Sequence, residues 1–406
     1  MSTGNLPGLV ATERADVYKG GRLAAQLTRT PVGIEFRYTG EWVRAGGGPV
    51  ASTLDVTTEP VVTTAGAVPA FFAGLLPEGR RLGALTRAVK TSADDELSLL
   101  LAVGADPVGD VQVVPSGAEP ERAAARIAVD AGDFSSTRFS EVLADYDIDI
   151  DLVALPGVQD KASLKMLSLP VHGTTSEYIL KLDPPEYPRI VENEAFFLDA
   201  ARASRVRAVR AEVVVDADGV NGLAVERFDR QVSGDAVRSY AVEDGCQALG
   251  LHPEAKYRVS TEEVVAGLAA LCEAPVPAAM EFLRQVVFAY VSGNGDAHAK
   301  NFSVVAGPDG RFRPAPAYDL PCTYLYGDST MAMSIDGART TDLTRGRFVA
   351  LAEAVGVRPG AAARVIDTTV DAAGSWLDSV DTLPFEARRI HKLKRFVRNR
   401  LQLLSG

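Results

Sequence analysis

Cysteine, histidine and long apolar runs are all scarce in this chain, and each shortage removes a class of function. The three cysteines, Cys246, Cys272 and Cys322, are widely scattered, without the paired spacing of a zinc site or the even count of a disulfide framework. Four histidines in 406 residues offer little material for a centre built from imidazoles. The longest apolar runs, such as Val286 to Val291, are short and broken by polar residues, well below the length of a membrane span. The opening Met1-Ser2-Thr3-Gly4-Asn5 lacks the basic start and apolar stretch of a signal peptide, so a soluble cytoplasmic protein without membrane association is expected. Basic charge is also in deficit. With 42 Lys and Arg against 53 Asp and Glu, the net charge of −11 argues against nucleic-acid binding by the whole surface.

One segment opposes that trend. Arg388, Arg389, Lys392, Lys394, Arg395, Arg398 and Arg400 follow one another with no acid among them. A solvated helix face accounts for such a run, and so does a local contact to DNA phosphate or to an acidic partner.

The length exceeds what one hydrophobic core organises, so two or three subdomains are expected. Residues 16–60 alternate apolar and polar types between glycine-rich turns, as in Gly33-Ile34-Glu35-Phe36-Arg37-Tyr38, which predicts a small β-rich unit. Helices are predicted around 73–90 and 94–103, the second starting after Ser92. The stretch 115–126, rich in Pro, Gly, Ser and charge, reads as a linker. A second β-rich block covers about 150–230, with strands at 162–169, 178–182, 211–215 and 223–228 and a helix at 191–203. Asp218-Gly219 and Asn221-Gly222 mark the turn between the last two strands. From 240 onward the pattern is mostly helical, and Phe282, Leu283, Val286, Val287 and Tyr290 fall on one helical face.

The densest chemistry lies in Asn294-Gly295-Asp296-Ala297-His298-Ala299-Lys300-Asn301. An Asp followed five positions later by an Asn is the spacing of base and metal ligand in a protein-kinase catalytic loop. A plain turn accounts for Asn-Gly-Asp alone. The order of the remaining candidates favours phosphoryl transfer, which asks for metal ions on the phosphates, a cation on the nucleotide tail and an oriented acceptor. Lys181 ends the strand Tyr178-Ile179-Leu180-Lys181 and would reach phosphate oxygens, with Glu194 on the next helix orienting it. Asp296 would take or orient the acceptor proton. Asn301 and Asp319 would offer oxygens to Mg²⁺, a hard cation that keeps waters besides. His298 is read as bracing this loop beside the nucleotide. An iron-binding triad of Asp296, His298 and His391 is the competing reading. Leu155-Pro156-Gly157-Val158-Gln159-Asp160-Lys161 is neither a GxGxxG nor a Walker motif, though its amides could cap phosphates with Gln159 or Lys161 assisting.

Together these residues resemble the HipA family of toxin serine/threonine kinases, over roughly residues 14 to 400. Phe72-Ala73-Gly74-Leu75-Leu76-Pro77-Glu78-Gly79 is similar to a signature of that family's N-terminal subdomain. Gly157, Gln159 and Lys161 match its phosphate loop, Gly-x-Gln-x-Lys. Val225-Glu226-Arg227-Phe228-Asp229-Arg230 resembles its inter-lobe segment, where backbone groups of Glu226 and Phe228 would meet adenine. Glu243-Asp244, Gln247-Ala248-Leu249 and Lys256-Tyr257 resemble a further stretch. The resemblance implies an α+β, two-lobed protein-kinase-like fold with a β-rich N-terminal subdomain and a helical C-terminal lobe. The units are placed at 1–115, 116–230 and 231–406, the middle one carrying the phosphate loop and the ATP lysine. It implies ATP and Mg²⁺ as cofactors, Lys181 and His298 at the nucleotide, Asp296 as the catalytic residue, and Asn301 and Asp319 as metal ligands. It further implies a HipB-like helix-turn-helix antitoxin, operator DNA contacted mainly through that antitoxin, and a protein substrate of the aminoacyl-tRNA synthetase class. One position departs from the family. Many members carry a phosphorylatable serine three residues before the loop glycine, and here Ala154 stands in its place: either control runs differently, through Ser163 or Ser168, or the alanine was introduced to prevent self-inactivation. A lipid or small-molecule kinase, and a non-catalytic scaffold for a DNA-binding antitoxin, are the alternatives.

Overall fold

The glycine-punctuated alternation at the start of the chain becomes an antiparallel meander of Arg14–Lys19 (β1), Arg22–Thr30 (β2) and Gly33–Tyr38 (β3). A computed structural model describes residues 6–120, 128–129, 134–141, 167–173, 176–234 and 236–405. Val61–Thr64 (β4) and Val111–Pro115 (β5) complete the first sheet in the order β4-β3-β2-β1-β5. Its alternation sends Ala15, Val17, Ala25, Leu27, Ile34 and Phe36 inward against Phe71, Phe72 and Leu100. The helix Glu96–Val103 is capped by Asp95, whose carboxylate accepts the Ser98 N–H. The cap therefore lies closer to the helix than Ser92, the start read from sequence.

The second sheet contains Ala128–Val129 (β6), Leu167–Gly173 (β7), Glu177–Leu182 (β8), Ala211–Val215 (β9) and Asn221–Glu226 (β10), in the order β6-β7-β8-β10-β9. The strand expected at 162–169 occupies Leu167–Gly173, and residues 162–166 lie outside the described residues. Helix Ile190–Ala203 leaves β8 and packs Val191, Phe197 and Leu198 into the large core of the helical lobe.

Sequence periodicity missed one element in the region read as mostly helical. Val242–Asp244 (β13), Ser303–Ala306 (β14) and Phe312–Pro314 (β15), which follow the hairpin Arg230–Ser233 (β11) and Ala236–Ser239 (β12), form a three-stranded sheet. Strands of three or four residues are too short to print an alternation. Helix Pro275–Ser292 also differs from its prediction. Phe288, Ala289 and Val291 are buried along with the expected face, because helices Thr261–Leu271, Arg345–Ala354, Pro359–Leu377 and Ala387–Ser405 surround it. Among the described residues, no helix is long and apolar enough to cross a membrane.

A buried ion network joins the inter-lobe segment to the first unit. Asp229 accepts from Arg227 Nη2 at 2.9 Å, Arg230 Nη1 at 2.5 Å and the Gly109 N–H at 2.9 Å, while both arginines also reach Asp106 and Pro107 O. Burial pushes the Asp229 carboxyl up, but the two guanidinium groups outweigh it and hold it below the usual carboxylate range. A folded pKa below the unfolded one gives stability that is present above about pH 4 and lost as pH falls through the folded value. Asp229→Asn leaves two buried guanidinium groups with Asp106 as their one remaining carboxylate and is expected to cost about 3 kcal/mol, read as a lower urea midpoint at pH 7. The deficit against the wild type should narrow below pH 4.

Candidate active site

Lys181 lies on the face of β8 opposite Leu180 and Leu182, which pack with Phe134 and Phe139. Its Nζ donates to Glu194 Oε1 at 2.8 Å, Glu194 Oε2 at 2.9 Å and Asp319 Oδ1 at 3.2 Å. Burial works against the ammonium, yet the two carboxylates more than offset it and hold Lys181 above its ordinary range. Glu194 is fully buried, and burial pushes its carboxyl up while Lys181 pulls it back. A bidentate contact of this length is that of an ionised pair.

The central helix ends at Gly293, whose φ of 79° turns the chain and whose Cβ would crowd Phe396, Tyr324 and Cys322 at 3.0–3.3 Å. The loop that follows is tied from within. Asn294 Oδ1 accepts the Asp296 N–H at 3.1 Å, and its Nδ2 donates to the Asp319 carbonyl at 3.1 Å, so one buried amide spans both acids. Tyr257 donates its hydroxyl to Asp296 Oδ1 at 2.7 Å. Asn301 donates Nδ2 to Asp319 Oδ2 at 2.7 Å and accepts the His298 N–H at 3.0 Å. Asp319 itself adopts φ 56°, a left-handed conformation that Asp tolerates better than most residues. Burial pushes its carboxyl up, and the Lys181 ammonium with the Asn301 hydrogen bond outweighs that and holds it below the usual range.

The donor set fits Mg²⁺. Asp319 supplies an ionised carboxylate and Asn301 a neutral amide; their hydrogen bond places the two side chains side by side, and a turn of the Asn301 amide would replace the Nδ2 that faces Asp319 with the oxygen that now accepts the His298 N–H. Two protein oxygens suit a cation that keeps waters and shares phosphate oxygens rather than one held in an all-protein cage. The iron reading finds no support. Among the described residues no group of three His, Cys, Asp or Glu comes together as a metal site, and His391 is exposed on the last helix while His298 is buried. Burial and the neighbouring Lys256 push His298 down to about 3, so the imidazole is neutral, edge-on to Tyr257 with ring centroids 5.2 Å apart. Its Nδ1 is buried without a hydrogen-bond partner in this structure.

Of the other expected positions, Phe228 stacks on Tyr318 at 5.7 Å, next to Asp319, and the Glu226 N–H is already given to Arg210 O at 2.9 Å. Gly157, Gln159 and Lys161, together with Ala154 and Ser163, lie outside the described residues.

Residues 153–377 match the HipA-like C-terminal domain, and residues 15–114 match the HipA N-terminal domain. The chain belongs to the HipA family. A Sinorhizobium fredii relative named as a candidate kinase, Y4mE, is 30% identical over 96% of this HipA-family chain and 98% of its own length. The serine/threonine-protein kinase toxin HipA of Shewanella oneidensis is 28% identical over 74% of this chain and 72% of its own. Shewanella oneidensis MR-1 HipA, solved with HipB and its operator DNA, superimposes with a TM-score of 0.73 at 22% identity, covering 96% of each chain. That likeness shows the two-lobed α+β kinase-like fold.

Two contributors escaped the sequence reading of this HipA-family site. Asn294 looks like a turn former, and Tyr257 carries no role in isolation. The only signal was their place in stretches that resemble the family. The basic run also divides. Arg388, Arg389, Lys392, Arg395 and Arg398 are exposed, Lys394 pairs with Asp381 at 2.5 Å, and Arg400 is buried against the rings of Tyr290 and Phe396 at 4.2 and 4.1 Å. Arg400 thus belongs to the core beneath the loop rather than to a surface stripe.

Proposed function

We propose that this HipA-family protein is an ATP-dependent serine/threonine protein kinase that acts as the toxin of a toxin–antitoxin pair. The observation that carries the reading is Lys181 held between Glu194 and Asp319, with Asp319 bound in turn to the loop bearing Asp296. A lysine fixed by a helix glutamate, beside a metal-binding aspartate and a loop Asp–Asn pair, is the set of parts that γ-phosphoryl transfer uses.

Asp319 and Asn301 would hold Mg²⁺, which supplies charge neutralisation for the phosphates. Lys181 binds phosphate oxygens with an ammonium whose two carboxylate partners keep it charged. Tyr257 and Asn294 orient Asp296, which would accept the proton of a serine or threonine hydroxyl as the hydroxyl oxygen bonds to the γ-phosphorus and the bond from that phosphorus to the β,γ-bridging oxygen breaks, releasing ADP. The Shewanella protein's assembly with HipB and operator DNA supports a HipB-like antitoxin as partner; operator contact mainly through that antitoxin is part of the proposal. An aminoacyl-tRNA synthetase is the proposed substrate class, and the cytoplasm the proposed compartment.

Incubation of the purified protein with labelled ATP, Mg²⁺ and a lysate tests the reading, with a labelled protein band expected. Label confined to lipid or small molecules would replace it. Chelation with EDTA should reduce labelling to background and Mg²⁺ should restore it. Ca²⁺ should restore it poorly, because a larger ion with looser geometry fits two ligands and a triphosphate less well.

A further inference from the structure

The loop lysine, Lys300, is turned toward the N-terminal unit. Its Nζ donates to Gly74 O at 3.1 Å and lies 3.2 Å from Glu78 Oε1 and 3.8 Å from Asp244 Oδ2. The other oxygen of Glu78 lies 2.5 Å from Lys256 Nζ. Lys256 in turn precedes Tyr257, which holds Asp296, and its carbonyl accepts the Ala299 N–H at 3.2 Å. One carboxylate from the first unit therefore reaches the Asp296–Asn301 loop along two routes. Both lysines are largely buried, with side chains 8% and 13% exposed, so water screens these pairs weakly. The approach is close as well: Gly74 sits where a Cβ would come 2.8 Å from Gln247, whose Nε2 donates to Phe71 O.

We propose that Glu78 is a positioning residue for the catalytic loop, holding residues 296–301 in place through Lys256 and Lys300. The inference rests on the kinase reading above only for its effect on rate. Its effect on the loop stands on the contacts themselves.

Glu78→Gln keeps the shape and removes the charge. Glu243→Gln is the control, because Glu243 also joins the two units, through the Ser52 N–H and hydroxyl, but lies on β13 rather than on the loop. In the full chain, hydrogen exchange of the amides within 294–303 should quicken about tenfold in Glu78→Gln and stay at the wild-type rate in Glu243→Gln. Peptide phosphorylation should show kcat lowered by about 10- to 100-fold in Glu78→Gln, with KM for ATP changed less than kcat, since Lys181 and Asp319 lie outside the loosened loop while Asn301 lies within it. Unchanged exchange in Glu78→Gln overturns the proposal, and so does equal quickening in both variants, which marks general loosening. If Glu78→Gln does not fold, Lys256→Met gives the same readout along one route, and an unmoved Ala299 amide overturns the proposal. A wild type that transfers no phosphate, yet shows the exchange difference, removes the kinase reading and leaves Glu78 as the loop's anchor.

Discussion

Asp296→Asn is expected to lower phosphate transfer to protein by about 10²–10⁴-fold, the range associated with loss of a general base. The change is close to isosteric, and an amide oxygen still accepts the Tyr257 hydroxyl, so the loop keeps its anchor. Thermal unfolding should stay within a few degrees of wild type. Induced in cells, the variant should permit growth where the wild type arrests it. Equal arrest by both would end the catalytic reading and favour a scaffold role. Tyr257→Phe separates orientation from chemistry. It removes one hydrogen bond to Asp296 and leaves the carboxylate, so a loss of about tenfold in kcat is expected.

Lys181→Met should abolish ATP binding and also destabilise the protein without ligand. The second effect follows from Glu194, which has no exposed surface and would lose the ammonium that both its oxygens contact. Removing one partner of a buried pair costs about 3–5 kcal/mol. The pH dependence has a definite sign. Burial already raises Glu194, and losing Lys181 raises it further above the unfolded value near 4.3. The penalty is thus full above the folded pKa and fades as pH falls toward the unfolded one. Urea midpoints of wild type and variant should converge between neutral pH and about pH 4. A constant gap would mean that Glu194 is not the strained group. Lys181→Met/Glu194→Leu should recover most of the stability at pH 7 while remaining inactive.

Features set by contiguous residues were legible before the structure. Alternation located β8 and β9, glycine and Asn-Gly steps located the turns, and spacing and chain order picked out Asp296, Asn301, Lys181 and Asp319; Lys181 and Asn301 bond Asp319 directly, and Asn294 ties Asp296 to it. Features set by packing were not. Glu78 and Lys300 lie far apart in sequence, and nothing local distinguishes either from an exposed charge. Asn294 has turn-forming chemistry that concealed its role as a tie between two acids. The helix 275–292 looked one-sided because sequence shows which residues are apolar but not how many neighbours surround them. Arg400 was grouped with a surface stripe for the same reason, its charge saying less than its position over Tyr290.

The left-handed backbone at Asp319 restricts what can replace it. Glutamate keeps the charge but carries a longer side chain in a conformation that costs ordinary residues about 1–2 kcal/mol. Asparagine and glycine accept that backbone and cannot carry the charge. Fold and chemistry therefore select the same amino acid independently, and no single exchange satisfies both. A descendant of this protein that abandons phosphoryl transfer should drift first to asparagine or glycine at 319, long before its fold shows any sign of the change.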